Sequence, residues 1–193
     1  MSKKSLKPTT AVFPIPTVLV TCQDGRGRSS IITISFIGVV NSDPPMISIA
    51  VRPNRYSHPI IKESNEFVVN IPSEKMLKVT DFCGVASGRD VNKFDVGKLT
   101  PIPSEKVKVP SIAECPINLE CVLKHILSLG SHDLFIGEIV ALRADEGVLR
   151  SNQSSVDIQK ILPFAYCPGG PGALEYWGLR ECIGTYGFTK GKI

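Results

Sequence analysis

The chain has 193 residues, a formal net charge of +4 and 42% hydrophobic residues. That apolar content supports a packed core and excludes global disorder. The mild positive balance suits an anionic ligand, and it falls short of the dense basic patches, interleaved with aromatics, that nucleic-acid binding needs.

The opening segment, MSKKSLKPTTAVFPIP, is basic but lacks a continuous apolar run, so no signal peptide is expected. Apolar runs such as MISIAV at 46–51 are far shorter than the roughly 18 residues a membrane helix requires. The expected location is therefore the cytoplasm, with no membrane partner. Asn152-Gln153-Ser154 matches a glycosylation sequon, which without secretion is read as coincidence.

Residues 16–22 (PTVLVTC) are rich in β-branched side chains and read as a strand. QDGRGR at 23–28 is a turn, and SSIITISFIGVV at 29–40 returns as a second strand, bent near Gly38. NSDPP at 41–45 is a loop, and MISIAVR at 46–52 a third strand. A short helix is predicted over His58 to Ser64, with Ser57 as N-cap and Pro59 in its first turn. Glu66 to Ile71 is the fourth strand. Ser73 to Phe82 reads as a helix with Ser73 as N-cap.

The span 83–116 is irregular and rich in Gly, Pro and Ser, a length that usually signals function or unrecognised short elements. Two long strands follow at 117–129 and 134–146, joined by the GSHD turn at 130–133. Beyond residue 150 the pattern weakens, and the Gly/Pro-rich segment is expected to pack as an extended tail on one domain spanning 1–193. Antiparallel strands with few short helices predict a mainly β chain forming a closed or split barrel. A parallel dinucleotide-binding sheet is disfavoured, because GRG at 25–27 lies in a hairpin rather than between a strand and a helix.

The six cysteines show no C-x-x-C pair, and several sit among apolar residues, so they read as buried free thiols. Gly-x-Ser-x-Gly and H-E-x-x-H are both absent, which removes the common hydrolase and metalloprotease readings. Of the three histidines, His125 lies in a strand among Val, Leu and Ile and reads as structural. His132 beside Asp133 is either a turn residue or a polar group facing a ligand.

Two segments favour an anion. Arg52 and Arg55 precede a helix start at Tyr56 and Ser57, where free N–H groups converge. Ser87-Gly88-Arg89, followed by Lys93, offers a hydroxyl, a flexible backbone and two cations. Together they suggest a phosphorylated ligand. On composition alone, Arg52 and Arg55 read equally as surface charges at a strand end, and the segment at 87–93 as a solvated loop leading into a short helix. Thr33 and Ser35 alternate with Ile32, Ile34 and Phe36, placing two hydroxyls on one strand face, either wet or turned to a planar heterocycle.

The ordered set PTVLVTCQDGRGRSSIITISF (16–36), DPPMISIAVRPNRYSHPIIKESNEFVVNIP (43–72), DFCGVASGRDVNKF (81–94), ECPINLEC (114–121) and GSHDLFIGEIV (130–140) resembles the flavin reductase-like family, nearest its flavoredoxin-type branch. EYWGL (175–179) and GTYGF (184–188) are similar to that branch as well. The resemblance implies an antiparallel, Greek-key split β-barrel binding FMN near a homodimer interface. It implies that Thr33 and Ser35 meet the flavin, and that Arg52, Arg55, Tyr56 and Ser57 run along it toward the phosphate. Ser87, Gly88 and Lys93 would help close the site, and His132 belongs to the family's GSHD turn. The chain departs from the pattern at Ser29-Ser30, where many relatives carry asparagine, and Ser30 stands as the candidate contact there.

The implied activity is that of an FMN-dependent oxidoreductase, accepting hydride or electrons from NAD(P)H and passing them on. No side-chain nucleophile is needed, which agrees with the missing triad. An electron-transfer protein fed by a redox partner, or a non-catalytic FMN-binding protein, are the alternatives. Nucleic-acid binding rests on the mild basicity alone.

Overall fold

A computed structural model describes residues 2–170 and 172–187. The strands are, in chain order, β1 Ile15–Pro16, β2 Val18–Gln23, β3 Ser29–Ile34, β4 Ile37–Ser42, β5 Pro45–Val51, β6 Glu66–Ile71, β7 Pro101–Ile102, β8 Ser111–Ile112, β9 Ile117–Ser128, β10 Asp133–Ala144, β11 Phe164–Gly170 and β12 Ala173–Gly178. The α-helices are α1 Ser57–Ser64, α2 Leu77–Val85, α3 Lys93–Gly97 and α4 Ile158–Ile161. No helix among the described residues is long and apolar enough to cross a membrane.

The main sheet runs β3-β2-β6-β9-β10-β5-β4, with every pairing antiparallel. Its two outermost strands, β3 and β4, are neighbours in sequence, separated only by Ser35 and Phe36. One continuous chain therefore supplies both edges, and the sheet must curl until they meet. The Ala50 N–H donates to the Phe36 carbonyl at 2.9 Å, which extends the β4–β5 ladder by one residue up to the break between β3 and β4. The fold is a mainly antiparallel split β-barrel, as expected. The break at Ser35-Phe36 corrects the expected bend at Gly38, which lies inside β4 with open space around it.

The barrel interior holds Val18, Val20, Ile32, Ile34, Ile49, Phe67 and Phe135. A second core lies outside β2 and β3, where Leu19 and Ile31 pack against Met76, Cys83 and Phe94. These two strands are covered on both faces, so their sequences read as near-continuous apolar runs rather than strict alternation. Phe67 is fully buried, and Gly137 makes room for it: a Cβ at 137 would stand 2.6 Å from the Phe67 ring. Strand β10 bulges against β9 at that point.

Other details differ from the sequence reading. Asp43-Pro44 alone separates β4 from β5, so the expected loop at 41–45 shrinks to a tight turn. Ser57 is the first residue of α1 rather than its cap, and no side chain caps that end. Ser73 precedes a 3-10 turn, Glu74–Met76, without a side-chain cap bond, and α2 runs on to Val85. The irregular span contains α3, capped by Asn92 accepting from the Phe94 N–H, and the small β7–β8 hairpin.

The expected extended tail is instead a hairpin, β11–β12, with β1 paired along it. It docks on α2 through the Tyr176 hydroxyl donating to Asp81 at 2.9 Å. Residues 188–193, including the end of the GTYGF segment, lie outside the described residues. His125 is exposed, because the far half of β9 leaves the core. Four cysteines are buried free thiols, Cys167 is half-buried, and Cys182 is exposed, contrary to the expectation for that residue.

Candidate functional site

The seam of the barrel carries the site. Leaving β5, the chain turns through Arg52 to Tyr56 into α1, with the Arg55 N–H donating to the Arg52 carbonyl and the His58 N–H to the Arg55 carbonyl. Facing this turn, the chain leaves α2 and forms a second turn, in which the Ser87 carbonyl accepts from the N–H groups of Asp90 and Val91. The Ser87 hydroxyl oxygen accepts from the Arg89 N–H at 3.2 Å. The helix start after the first turn has no side-chain cap among the described residues, whereas α3 after the second turn is capped by Asn92.

Between the two turns lies a cavity of about 230 Å³, lined by Arg52, Arg55, Tyr56, Ser57, Ser87, Gly88, Arg89 and Lys93 among others. Four cations line it, and no carboxylate does among its described lining residues. None of the four belongs to an ion pair among the described residues. Arg89 lies over the Tyr56 ring at 5.9 Å and donates to the Asn54 carbonyl at 3.1 Å.

Lys93 is the most telling member. It is 5% exposed, and its Nζ donates to the Cys83 carbonyl at 2.6 Å. An ammonium has three donors, so a buried lysine with one bond and no counter-charge among the described residues is an incomplete arrangement. Burial holds its pKa below the ordinary lysine range, and Arg55 adds to that depression. An anion in the cavity would complete it.

A shallower cavity of about 130 Å³ follows the seam in the other direction and shares Ile32, Arg52 and Arg55 with the first. Its walls include Thr33, Ser35, Phe36 and His132. The His132 ring lies 5.3 Å from that of Phe36, tilted by 37°. Burial and the nearby Arg52 guanidinium lower the His132 pKa from its ordinary value. The Thr33 hydroxyl donates to the Thr80 carbonyl, so it is anchored to α2. Phe36 is 38% exposed, so it does not join the apolar face assigned to it.

Ser30 lies on the far side of the Ser87-Gly88 turn, in a broader depression that also includes Tyr56, Gly88, Arg89 and Lys93. Its hydroxyl oxygen is buried and has no hydrogen-bond partner among the described residues. Thus Ser30, Thr33, Ser35, Arg52, Arg55, Tyr56, Ser57, Ser87, Gly88, Lys93 and His132 line three neighbouring cavities that share walls along one groove of the seam. The sequence reading named Arg89 in its anion-friendly turn but did not carry it into the candidate set. It missed Phe36, Asn54 and Ala86 as lining residues, and these carry no local signal. No group of three potential metal ligands occurs among the described residues.

A groove with a cationic, singly bonded lysine at one end and an aromatic, hydroxyl-bearing seam at the other suits a ligand that is planar and phosphorylated. The orphaned Ser30 hydroxyl and the unpaired donors of Lys93 are what such a ligand would satisfy. The family model for the flavin reductase like domain matches residues 10–174. The chain belongs to the flavin reductase-like family. A protein of Archaeoglobus fulgidus is 37% identical over 129 residues, covering 67% of this chain and 72% of its own length.

Among solved structures of this family's fold, the flavoredoxin of Desulfovibrio vulgaris (Miyazaki F) is 33% identical, with a TM-score of 0.90 over 98% of this chain and 100% of that one. The flavoredoxin from Methanosarcina acetivorans is 29% identical, with a TM-score of 0.85 over 99% and 100% of the two chains. Membership of the flavin reductase-like family supports a flavin cofactor and a redox role for this chain.

Proposed function

We propose that the chain binds FMN non-covalently along the seam and works as an FMN-dependent oxidoreductase, accepting hydride or electrons from NAD(P)H for transfer to an acceptor. The observation that carries this reading is the buried Lys93, with one hydrogen bond among the described residues, beside three arginines in a cavity that no described carboxylate lines. A phosphate monoester answers it, because its oxygens take charge-assisted bonds and its charge offsets the cations. That chemistry favours FMN over unphosphorylated riboflavin.

In this reading Lys93, Arg55, Ser87 and the backbone at Gly88 hold the phosphate. Tyr56 and Ser57 wall that end, and Ser30 offers its free hydroxyl. Thr33, Ser35 and His132 border the ring, with Arg52 shared between the two ends. Bound FMN would supply the hydride and electron chemistry. The chain's own part is to orient the cofactor, place positive charge along it and exclude water from it. The protein is further read as cytoplasmic and as a homodimer, and the exposed apolar side chains Val39, Leu127 and Leu142 bear on the dimer alone.

The test is anaerobic mixing of the FMN-loaded protein with NADH and with NADPH, following the flavin absorption. Rapid bleaching by either supports a reductase. The flavoredoxin likeness favours a second reading, an electron carrier fed by another redox protein. Bleaching by a reduced iron–sulfur protein, with none by either nicotinamide, would select the carrier. A flavin that no physiological donor turns over would leave only a non-catalytic binder.

A further inference from the structure

We infer that His58 and Asp133 form a strut that fixes the two ends of the groove relative to one another, so that both are positioning residues for the cofactor; this rests on the FMN reading above. His58 Nε2 and Asp133 Oδ2 are 2.8 Å apart, with both side chains largely buried. The second carboxylate oxygen accepts from the Ser128 hydroxyl at 2.8 Å. The His58 ring also stands edge-on to Phe135, with centroids 5.1 Å apart.

What gives the pair a role beyond packing is its place in the chain. His58 follows Ser57, which lines the phosphate end of the groove. Asp133 follows His132, which lines the ring end. In the ladder Asp133 sits opposite Val51, the residue before Arg52, which borders both ends. One carboxylate thus ties the start of α1 to the corner where β5, β9 and β10 converge. A ligand touching both ends depends on their separation, and binding sites tolerate only small errors in such spacing.

The bond is made to an ionised acid. The His58 hydrogen bond, and then that of Ser128, lowers the Asp133 pKa below the ordinary carboxylate range. Charge-assisted bonds hold geometry more firmly than neutral ones. The two residues are far apart in sequence, so the strut is a product of the closed barrel rather than of a local motif.

The experiment titrates FMN-free protein with FMN, reading flavin fluorescence and the visible spectrum, for wild type, His58→Met and His58→Gln. Methionine keeps the bulk against Phe135 but cannot bond the carboxylate, whereas the glutamine amide can donate to it. The expected result is a loss of about tenfold or more in FMN affinity for His58→Met, and recovery to within about threefold for His58→Gln. Thermal unfolding of the FMN-free proteins separates this from global destabilisation, and Asp133→Ala supplies an independent break should His58→Met fail to fold. Wild-type affinity in His58→Met, or equal losses in both His58 variants, would overturn the strut. Failure of the wild type itself to bind FMN would instead overturn the cofactor reading.

Discussion

Gly88 rests directly against Ser30: a Cβ at position 88 would stand 2.6 Å from the Ser30 hydroxyl oxygen and 2.6 Å from Cδ1 of the Tyr56 ring. The turn between α2 and α3 can therefore approach β3 and the α1 start only because residue 88 has no side chain. Gly88→Ala should destabilise the protein by about 1–3 kcal/mol through this overpacking. It should also weaken FMN binding, since the turn that carries Ser87 must shift. Thermal unfolding and an FMN titration check the two effects, and an unaltered affinity would remove this turn from the cofactor site.

Lys93 makes a prediction of opposite sign for the two states of the protein. Its ammonium is buried with one hydrogen bond and no counter-charge among the described residues, which is unfavourable until an anion arrives. Lys93→Met should leave the FMN-free protein as stable as wild type or more stable. The same change should cost about 1.5–3 kcal/mol of FMN affinity by deleting a charge-assisted bond. Equal losses in both states would mean that Lys93 serves the fold rather than the ligand.

Four buried thiols govern the alkaline side of the stability curve. Burial pushes the Cys22 pKa up to about 12 and that of Cys83 up to about 11, and raises those of Cys115 and Cys121 as well. The unfolded chain releases these protons from roughly pH 8.5 upward while the folded chain keeps them. Stability present below that pH is therefore lost as the pH rises through the folded values. Lys93 acts in the opposite sense, because a depressed lysine gains stability as the pH climbs toward its ordinary range, but it is one group against four. The thermal midpoint should fall steadily between about pH 8 and pH 10, and a flat profile would contradict the burial of these thiols.

Glu120 offers a control away from the groove. It is fully buried, and its carboxylate accepts the backbone N–H groups of Glu105 at 2.8 Å and Lys106 at 2.6 Å. Those bonds hold the loop that covers Val68 through Val107 and Val109. Glu120→Ala should destabilise by about 3 kcal/mol or more, leaving two N–H groups without their acceptor. Protein that still folds should bind FMN as wild type does, which a side-by-side titration would reveal.

Strands β2, β5 and β6 were legible in the sequence because both faces or one strongly apolar face are buried, leaving unmistakable β-branched runs. The break at Ser35-Phe36 was not, because barrel closure imposes it and neither residue is a breaker. The five-residue helix α3 is too short for propensity to announce, and its Asn92 cap reads equally well as a loop residue. The β11–β12 hairpin was hidden because its third strand, Ile15–Pro16, lies far away in sequence. His125 misled through its apolar neighbours, which lie along a half-exposed strand. Cations and small residues marked the groove at Arg52, Arg55, Ser87 and Lys93. The bond between His58 and Asp133 links residues that only the closed barrel brings together.

The most direct test of FMN in the seam groove is a paired titration of the FMN-free protein with FMN and with riboflavin, which differ by the phosphate alone. FMN should bind tighter by about a hundredfold or more, reflecting charge-assisted bonds from Lys93 and its neighbouring arginines. The advantage should shrink sharply in Lys93→Met. Equal affinity for the two flavins, or binding of neither, would contradict the assignment of the cationic cavity to the phosphate.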